Sequence, residues 1–314
     1  MFLTVCLNPT LQKTLCFSGI IPGTVNRTNE HRLDVSGKGI NVTRVLTQLG
    51  KKALHLTQLG GDLRPLFLSL CEQDGLSVEW VESGSQIRLC YTLLTENDGM
   101  TTSSGQVTEL VEESETVASE TEQRLMQKYE LLLGDASLDL KCLVISGTKA
   151  AGFSDALFPD MARKAKEKGL KVIIDIKGKD LTECLKYEPD VIKPNLFEFA
   201  ATFAPELVKD NDLAADDDTV KKKIKSIVMD IAQKHKCSVI LTNGSRNIFA
   251  ANGSSFFEVD IQPVKAVNSI GCGDSFTAGL ASALVDSKDL NAAINDGIRC
   301  GALCASLVKP GVIR

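Results

Sequence analysis

Short apolar runs that alternate with segments of helical spacing constrain the fold of this chain more than any other feature. Over most of the 314 residues, a run with the composition of a buried strand is followed by apolar residues recurring every three or four positions. This alternation is typical of an α/β protein with a mostly parallel sheet and helices on both faces. We predict core strands at 2–7, 53–58, 78–80, 142–146, 171–176, 191–193 and 238–242, then a meander of 247–251 and 255–259 and two closing helices.

Small or polar residues lie at or just beyond the ends of the predicted core strands. Asn8, Ser146, Asp175, Asn195 and Gly244 all occupy such positions. In open parallel sheets, ligands bind beyond the carboxyl ends of the strands. We therefore expect a binding site along one edge of the sheet, close to these residues.

Residues 268–279, with the sequence Asn-Ser-Ile-Gly-Cys-Gly-Asp-Ser-Phe-Thr-Ala-Gly, combine a glycine turn with the start of a predicted helix. A helix N-terminus is a natural anion site because its unpaired N–H groups and its positive dipole end face the ligand. Asp274 is unusual there, since its carboxylate would repel a phosphate. It could instead accept the proton of a hydroxyl that attacks phosphorus. The alternative is that Asp274 only caps its helix, a position that Asp favours.

A second glycine turn precedes a helix near the start of the chain. Ser36, Gly37, Lys38 and Gly39 are followed by residues 40–46, which have helical spacing. No Gly-Lys pair in the chain has the flanking residues of a P-loop, and neither turn has the third glycine of a dinucleotide-binding turn. Any phosphate site must therefore rest on these two turns.

The composition argues against several other classes of protein. A net charge of −5 provides no global basic field for nucleic acid or for an acidic membrane surface. The first residues have no basic n-region and no apolar run reaches membrane-spanning length, so we expect a soluble, cytoplasmic protein. The ten cysteines are scattered without a Cys-x-x-Cys pair, which favours buried reduced thiols over disulfides or a zinc site. We expect Cys272 to be a tolerated small residue and not a nucleophile.

Several motifs extend the two turns into a pattern that covers residues 2 to about 305. They are Leu7-Asn8-Pro9, Val25-Asn26-Arg27, the helix start 37–46, Lys193-Pro194-Asn195 with Glu198, and Gly271-x-Gly273-Asp274-Ser275. In this order they resemble the ribokinase-like (PfkB) carbohydrate kinases, and most closely the branch of 1-phosphofructokinases and tagatose-6-phosphate kinases. The resemblance implies a single domain, 1–314, with a three-layer α/β/α core and a small β-sheet lid formed by about 10–36 and 87–104.

The resemblance also implies a phosphotransferase that uses ATP and Mg²⁺. Asp274 would be the catalytic base, beside a migrating γ-phosphoryl group held by the amides of the glycine turn. Glu198 would organise Mg²⁺, through water, and without the resemblance it would be interpreted as an exposed helical carboxylate. The implied amides are those of Gly271, Cys272 and Gly273, and the implied nucleotide contacts are Asn195, Thr242 and Gly244.

The implied substrate is a sugar that already carries a phosphate. Three basic residues, Arg27, Lys38 and Arg88, occupy substrate positions of the family and can neutralise that phosphate. We expect a ketohexose monophosphate, in the first place fructose 1-phosphate, which would become fructose 1,6-bisphosphate. The alternatives are a tagatose-6-phosphate kinase, a kinase of an unphosphorylated sugar or nucleoside, and a non-catalytic regulator that binds a sugar phosphate. The other substrate positions are Gln12, Gly37, Asn41 and Ser146.

Two departures from the family pattern affect these expectations. Gln12 stands where the branch has an acid, and because an amide donates as well as accepts, it can recognise a different pattern of sugar hydroxyls. The chain also ends at Arg314, earlier than relatives usually do, so we expect any adenine contact that their tails make to be missing or replaced here.

The predicted lid bears on how many copies of this chain assemble. We predict a hairpin of strands 88–95 and 100–104, joined by an Asp-Gly turn at 96–99. Lids of phosphosugar kinases pair between subunits, which also covers their edge strands. The resemblance therefore implies a homodimer.

Overall fold

The structure, a computed structural model, describes residues 1–95, 107–209, 212–215 and 217–314. Its largest element is a nine-stranded sheet. The strands are β1 Phe2–Leu7, β2 Thr10–Phe17, β3 His31–Ser36, β4 Ala53–Leu59, β5 Ser77–Glu82, β6 Arg88–Thr95, β7 Val107–Val111, β8 Cys142–Lys149, β9 Lys171–Asp175, β10 Val191–Ile192, β11 Val208–Lys209, β12 Asp212–Leu213, β13 Ser238–Leu241, β14 Ile248–Asn252 and β15 Ser255–Val259. The helices are α1 Lys38–Gln48, α2 Arg64–Gln73, α3 Thr121–Gly134, α4 Leu157–Glu167, α5 Gly178–Cys184, α6 Leu196–Phe203, α7 Asp218–Lys234, α8 Cys272–Val285 and α9 Leu290–Ala305.

The main sheet has the strand order β15-β14-β13-β10-β9-β8-β1-β4-β5. The strands from β13 to β5 in this order are parallel, whereas β14 and β15 run antiparallel at one edge. Each strand predicted for the core is present, with ends that differ by a few residues. The sequence pattern was sufficient here because parallel strands buried on both faces are continuous apolar runs.

Helices cover both faces of the main sheet, as alternate residues of the central strand show. Leu3, Val5 and Leu7 of β1 belong to a core shared with helices α3 to α7. Phe2 belongs to a second core on the opposite face, which is shared with α1, α8 and α9. Burial of each large apolar side chain in such a core contributes about 1.5–3 kcal/mol. The predicted fold class, a three-layer α/β/α arrangement with a mostly parallel sheet, is confirmed.

A second, four-stranded sheet lies outside the three layers, with the order β3-β2-β6-β7. Leu11 and Val35 pack from this sheet against Ile40 of α1 and Phe67 of α2. The predicted strand at 88–95 is present as β6, but the turn at 96–99 and the strand at 100–104 lie outside the described residues. The antiparallel partner seen for β6 is β7, which the acidic sequence after Val107 did not predict.

All ten cysteines are free thiols, and most of them are buried. Among the helices of the described residues, none combines the length and the apolar composition needed to cross a membrane.

Candidate active site

A cavity of about 400 Å³ lies between the carboxyl edge of the main sheet and the second sheet. Its walls come from both glycine turns, from the ends of β9, β10 and β13, and from strands of the second sheet. The position agrees with the rule that open parallel sheets bind ligands beyond the carboxyl ends of their strands. The predicted site residues that line it are Gln12, Gly37, Lys38, Asn41, Arg88, Asn195, Glu198, Thr242, Gly271, Gly273 and Asp274.

Asp274 lies in the first turn of α8, and its carboxylate bonds to a side chain of another helix. Its Oδ2 accepts a hydrogen bond from Asn41 Nδ2 at 2.8 Å, which joins the two glycine turns. The residue that begins the helix is Gly271, with a left-handed φ of 81°, and the helix start has no side-chain cap. The alternative that Asp274 only caps its helix is therefore wrong.

The environment of Asp274 suits a base that works near neutral pH. Burial raises the pKa of its carboxyl to about 6. The charge of Asp175 adds to this increase, whereas Lys38 and the hydrogen bond from Asn41 act in the opposite direction. A general base is most effective when its pKa lies near the working pH.

The glycine turn before α8 is held by a residue that the sequence did not single out. Asn268 is buried; its Oδ1 accepts a hydrogen bond from Ile270 N at 3.0 Å and its Nδ2 donates to Val308 O at 2.8 Å. A Cβ atom on Gly271 would lie 2.6 Å from Gly311 N, so only glycine fits between the turn and the C-terminal segment. The last residues of the chain therefore support the turn from behind.

Cys272 and Gly273 follow Gly271 at the start of α8 and differ in their exposure. Gly273 is exposed and lines the cavity. Cys272 N donates to Ser269 O at 3.3 Å, and its thiol donates to Asn268 O at 3.6 Å. Hydrogen bonding to Cys304 and burial raise the pKa of the Cys272 thiol, and a protonated thiol is a poor nucleophile.

A cluster of opposite charges forms the floor of the cavity. Lys38 Nζ lies 3.7 Å from Asp175 Oδ1 and 3.5 Å from Glu198 Oε1, and Lys193 Nζ lies 3.4 Å from Asp175 Oδ2. Burial opposes ionisation of Asp175, but Lys193 and Lys38 hold the pKa of its carboxyl below the usual value. The charges of Asp175 and Glu198 raise the pKa of Lys38. Two fixed cations thus face the space beside Asp274.

Asp175 was expected only to lie near the site and Lys193 only to belong to a motif; neither was given a role, although the sequence contains a signal for each. Asp175 ends a buried strand, and Lys193 precedes Pro194-Asn195 in one of the motifs. Asp175 also accepts hydrogen bonds from Ser146 Oγ at 3.2 Å and Thr277 Oγ1 at 2.8 Å. A buried lysine needs a buried acid as a partner, and this pairing between separate strands is what sequence reasoning lacked.

Glu198 and Asn195 form a reciprocal cap at the start of α6. Asn195 Oδ1 accepts from Glu198 N at 2.7 Å, and Glu198 Oε2 accepts from Asn195 N at 3.0 Å. In the part of the chain that the structure describes, no three His, Cys, Asp or Glu side chains gather into a metal cage. A single half-buried carboxylate of this kind fits Mg²⁺, which keeps several waters and binds through one or two carboxylates and the phosphates of its substrate.

Polar residues of the second sheet form the opposite wall. Gln12 is buried, and its Nε2 donates to Thr92 Oγ1 at 2.7 Å. Arg88 Nε donates to Thr10 Oγ1 at 2.9 Å, and Arg88 Nη1 donates to Glu112 O at 3.4 Å. Glu109 also lines the cavity, so this wall has both signs of charge.

Four predicted site residues lie outside the lining of the cavity: Cys272, described above, and Arg27, Ser146 and Gly244. Arg27 is exposed and lies in a separate depression at the end of β2. Ser146 is buried beneath the floor, on Asp175. Gly244 has a left-handed φ of 59° in the turn after β13. Their assigned contacts with ligands stay predictions.

The fold and the cavity together define a class of protein. A buried carboxylate with a raised pKa, next to an exposed helix N-terminus and two lysines, is the arrangement needed to transfer a phosphoryl group to a hydroxyl. In a three-layer α/β fold, this combination is that of a kinase of small molecules.

Comparison with known proteins identifies the family. The model of the pfkB family carbohydrate kinases matches residues 12–311, so the chain belongs to that family and is a phosphotransferase with a hydroxyl acceptor. It is 29% identical, over 92% of its length and 86% of the relative, to a tagatose-6-phosphate kinase from Staphylococcus epidermidis.

Two solved structures from Thermotoga maritima have the same fold. One is described as a possible 1-phosphofructokinase, with a TM-score of 0.83, 19% identity and coverage of 98% of this chain and 92% of that one. The other is a ribokinase, with a TM-score of 0.69, 16% identity and coverage of 99% and 94%. The fold is therefore ribokinase-like, as predicted.

Proposed function

We propose that this chain transfers the γ-phosphoryl group of ATP to a hydroxyl of a ketohexose monophosphate, in the first place fructose 1-phosphate, to give fructose 1,6-bisphosphate. The observation that carries the proposal is the meeting of Asp274, Lys38 and Arg88 around one cavity. A base and two separated cations suit a substrate with a reactive hydroxyl at one end and a phosphate at the other. Tagatose 6-phosphate is an equally supported substrate, because a curated relative is a tagatose-6-phosphate kinase.

The chemistry assigns one proton and one phosphoryl group to named atoms. The acceptor hydroxyl loses its proton to the Asp274 carboxylate while its oxygen forms a bond to the γ-phosphorus, and the bond from that phosphorus to the bridging oxygen of ADP breaks. The amides of Gly271 and Gly273 hold the migrating group at the start of α8, and the Cys272 amide joins them by exchanging its 3.3 Å hydrogen bond to Ser269 O for one to that group. Lys193 and Lys38 offset the charge that spreads over the phosphoryl oxygens.

Mg²⁺ is the metal implied by this reaction, and it would neutralise charge on the nucleotide phosphates. Glu198 would hold it through water, beside Asn195, where the reciprocal cap fixes both side chains. Thr242 and Gly244 would lie along the nucleotide, since Thr242 pairs with Asn195 at the same edge of the sheet.

Arg88 provides a direct test of the substrate phosphate. We expect Arg88→Gln to raise the KM for a phosphosugar about 10- to 100-fold, because a charged hydrogen bond contributes about 1.5–3 kcal/mol, and to leave the weak turnover of the free sugar unchanged. Steady-state kinetics with matched phosphorylated and free ketohexoses measure this difference.

Arg32→Gln is the matched control, because Arg32 also belongs to the second sheet but pairs with Asp34 and lies outside the lining of the cavity. It should not change the preference for the phosphorylated sugar. Equal KM increases for phosphorylated and free sugars in Arg88→Gln would contradict the assignment of Arg88 to the phosphate.

The raised pKa of Asp274 predicts the shape of the acidic limb of activity. Only the ionised carboxylate can accept a proton, so kcat/KM should be half-maximal near pH 6, level off at higher pH and fall about tenfold per pH unit at lower pH. A sugar phosphate also titrates near pH 6, so the same profile is measured for Asp274→Glu. In Asp274→Glu the acidic limb of the kcat/KM profile should move to a different pH. A limb that stays at the same pH would report the titration of the substrate phosphate and not of the base.

We further propose that the second sheet is a lid on one domain of 1–314 and that two lids pair in a homodimer. Within the described residues β7 is one of the two outer strands of this sheet, and Leu110 and Val111 on it are exposed. Pairing would cover these side chains and the unpaired edge. Arg27 keeps its proposed contact with the substrate phosphate, although it lies in a separate depression at the end of β2. Sedimentation should show a dimer at micromolar concentration, and a monomer alone would contradict this proposal.

The proposal includes a cytoplasmic location, where ATP and sugar phosphates are supplied together. Gln12, whose amide nitrogen is anchored on Thr92, would contact a hydroxyl of the sugar.

A further inference from the structure

Arg44 is a buried cation on α1, one turn after Asn41, and it binds four different groups. Its Nη1 donates to Asn41 Oδ1 at 2.9 Å and to Pro310 O at 3.2 Å. Its Nη2 donates to Val35 O at 2.6 Å, and its Nε donates to Asp74 Oδ2 at 2.9 Å. The guanidinium is 3% exposed, so its position is set by these partners.

The chemistry of Arg44 determines which end of the Asn41 amide faces Asp274. A guanidinium has N–H donors and no acceptor, so the atom of Asn41 that meets it must be the oxygen. The amide nitrogen then faces the other way, where its hydrogen bond to Asp274 Oδ2 measures 2.8 Å. An ionised carboxylate only accepts hydrogen bonds, so the two contacts require the same orientation of the amide.

We propose that Arg44 is a positioning residue of the reaction, which locks the Asn41 amide so that its nitrogen always donates to the Asp274 carboxylate. The role rests on the proposed function of Asp274 as the base. If Arg44 is absent, Asn41 can rotate and present its oxygen to a carboxylate, which repels it. The Asn41 hydrogen bond favours the ionised form of Asp274, so loss of the lock should make that carboxyl harder to ionise.

Other groups also act on Asp274 and must stay constant in a test. They are Lys38 on α1, Asp175 at the end of β9, Lys193 after β10, and the thiols of Cys6 on β1 and Cys272 on α8. Around Arg44 itself the charged groups are Asp74, Lys309 and Asp34, since Lys309 pairs with both acids. None of these residues is changed in the variants of Arg44 and Asn41.

The test is a carboxyl ¹³C NMR titration of the full chain, with the Asp274 signal assigned by its loss in Asp274→Asn. In Arg44→Lys, which keeps a cation but loses the fork of donors, the midpoint should move up by about one pH unit. The kinetic signature is a defect in kcat of about tenfold below pH 6 that disappears above pH 8. The titration does not depend on the identity of the sugar, so a wrong substrate would leave it intact.

A double-mutant cycle separates positioning from a direct effect of charge. In an Asn41→Ala background, Arg44→Lys should produce no further change in the midpoint, because Arg44 acts through Asn41. A shift of equal size in both backgrounds would overturn the proposal. Lys309→Met is the matched control, since Lys309 binds Asp74 on the same network without touching Asn41, and it should leave the midpoint unchanged.

A measurement on the unmodified protein covers the case in which Arg44→Lys does not fold. Neutron diffraction locates the deuterons of the Asn41 amide, and the proposal requires both of them on the atom that faces Asp274. Deuterons on the atom that faces Arg44 would overturn it.

Discussion

Replacing Asp274 by Asn is expected to lower kcat about 10²- to 10⁴-fold, the range found when a general base is removed. Asn has nearly the same shape and can still accept the hydrogen bond that Asn41 donates, but it cannot take the proton of the acceptor hydroxyl. Binding of the sugar phosphate, measured by calorimetry, should remain within a few fold of wild type. The loss would therefore be one of chemistry and not of recognition.

The control for this prediction lies at the other end of the same helix. Asp286 is the residue directly after α8 and forms an exposed salt bridge with Lys51, so Asp286→Asn should retain wild-type activity. Unfolding also gives a check: the folded pKa of Asp274 is raised from its ordinary value of 3.8 to about 6, so the native state loses stability relative to the unfolded chain as the pH rises between these values, and the full loss applies above pH 6. At pH 8 the thermal unfolding midpoint of Asp274→Asn should therefore be no lower than that of the wild-type chain. A variant with full turnover would contradict the role of the base and favour a non-catalytic binding protein.

Replacing Lys38 by Met is expected to lower kcat/KM about 10²- to 10³-fold, comparable to the loss of one preorganised group that stabilises charge in a transition state. The ammonium lies between Asp175 and Glu198 and faces the cavity. Its removal takes away a cation that would bind a phosphate group of the ligand. It also leaves Asp175 and Glu198 without the ammonium that lies between them. Because Lys38 lowers the pKa of Asp274, the acidic limb of the pH profile should also move to higher pH.

Lys149→Met is the matched control for Lys38→Met. Lys149 is a mostly buried lysine at the end of β8, where it pairs with Asp180 and Asp155 outside the lining of the cavity. It should cost stability without a comparable loss of kcat/KM at a temperature where both variants are folded. If both variants lose activity equally, the effect of Lys38 would be one of folding, and its role at the site would be wrong.

The core of the fold was predictable from sequence because its signals are local. The run from Phe2 to Leu7 is apolar at nearly every position, as a strand covered on both faces must be. The second sheet was less predictable: its first part was expected only as the broad range 10–36, within which the strands are β2, Thr10–Phe17, and β3, His31–Ser36. The ends of these half-exposed strands are set by their pairing with each other, which is a long-range interaction.

The candidate site was predictable where its residues lie in glycine turns and less so where they meet across the fold. Asn41 and Asp274 are far apart in sequence, and the family motifs marked both. The sequence did not indicate that Asp175 holds two lysines or that Gly311 packs against Asn41, where an added Cβ would lie 2.7 Å from the Cβ of Asn41. Such contacts depend on tertiary packing and have no periodic or local pattern.

The most direct test of the proposed function is an ADP-release assay of the wild-type chain with ATP, Mg²⁺ and a panel of ketohexoses. The panel pairs fructose 1-phosphate and tagatose 6-phosphate with the free sugars. We expect turnover with at least one phosphosugar, and kcat/KM at least about a hundredfold lower with the free sugars, because a free sugar gives up the charged hydrogen bonds that Arg88 and Lys38 would make to the substrate phosphate. Inactivity on every phosphosugar, or equal rates with free sugars, would contradict the proposed function.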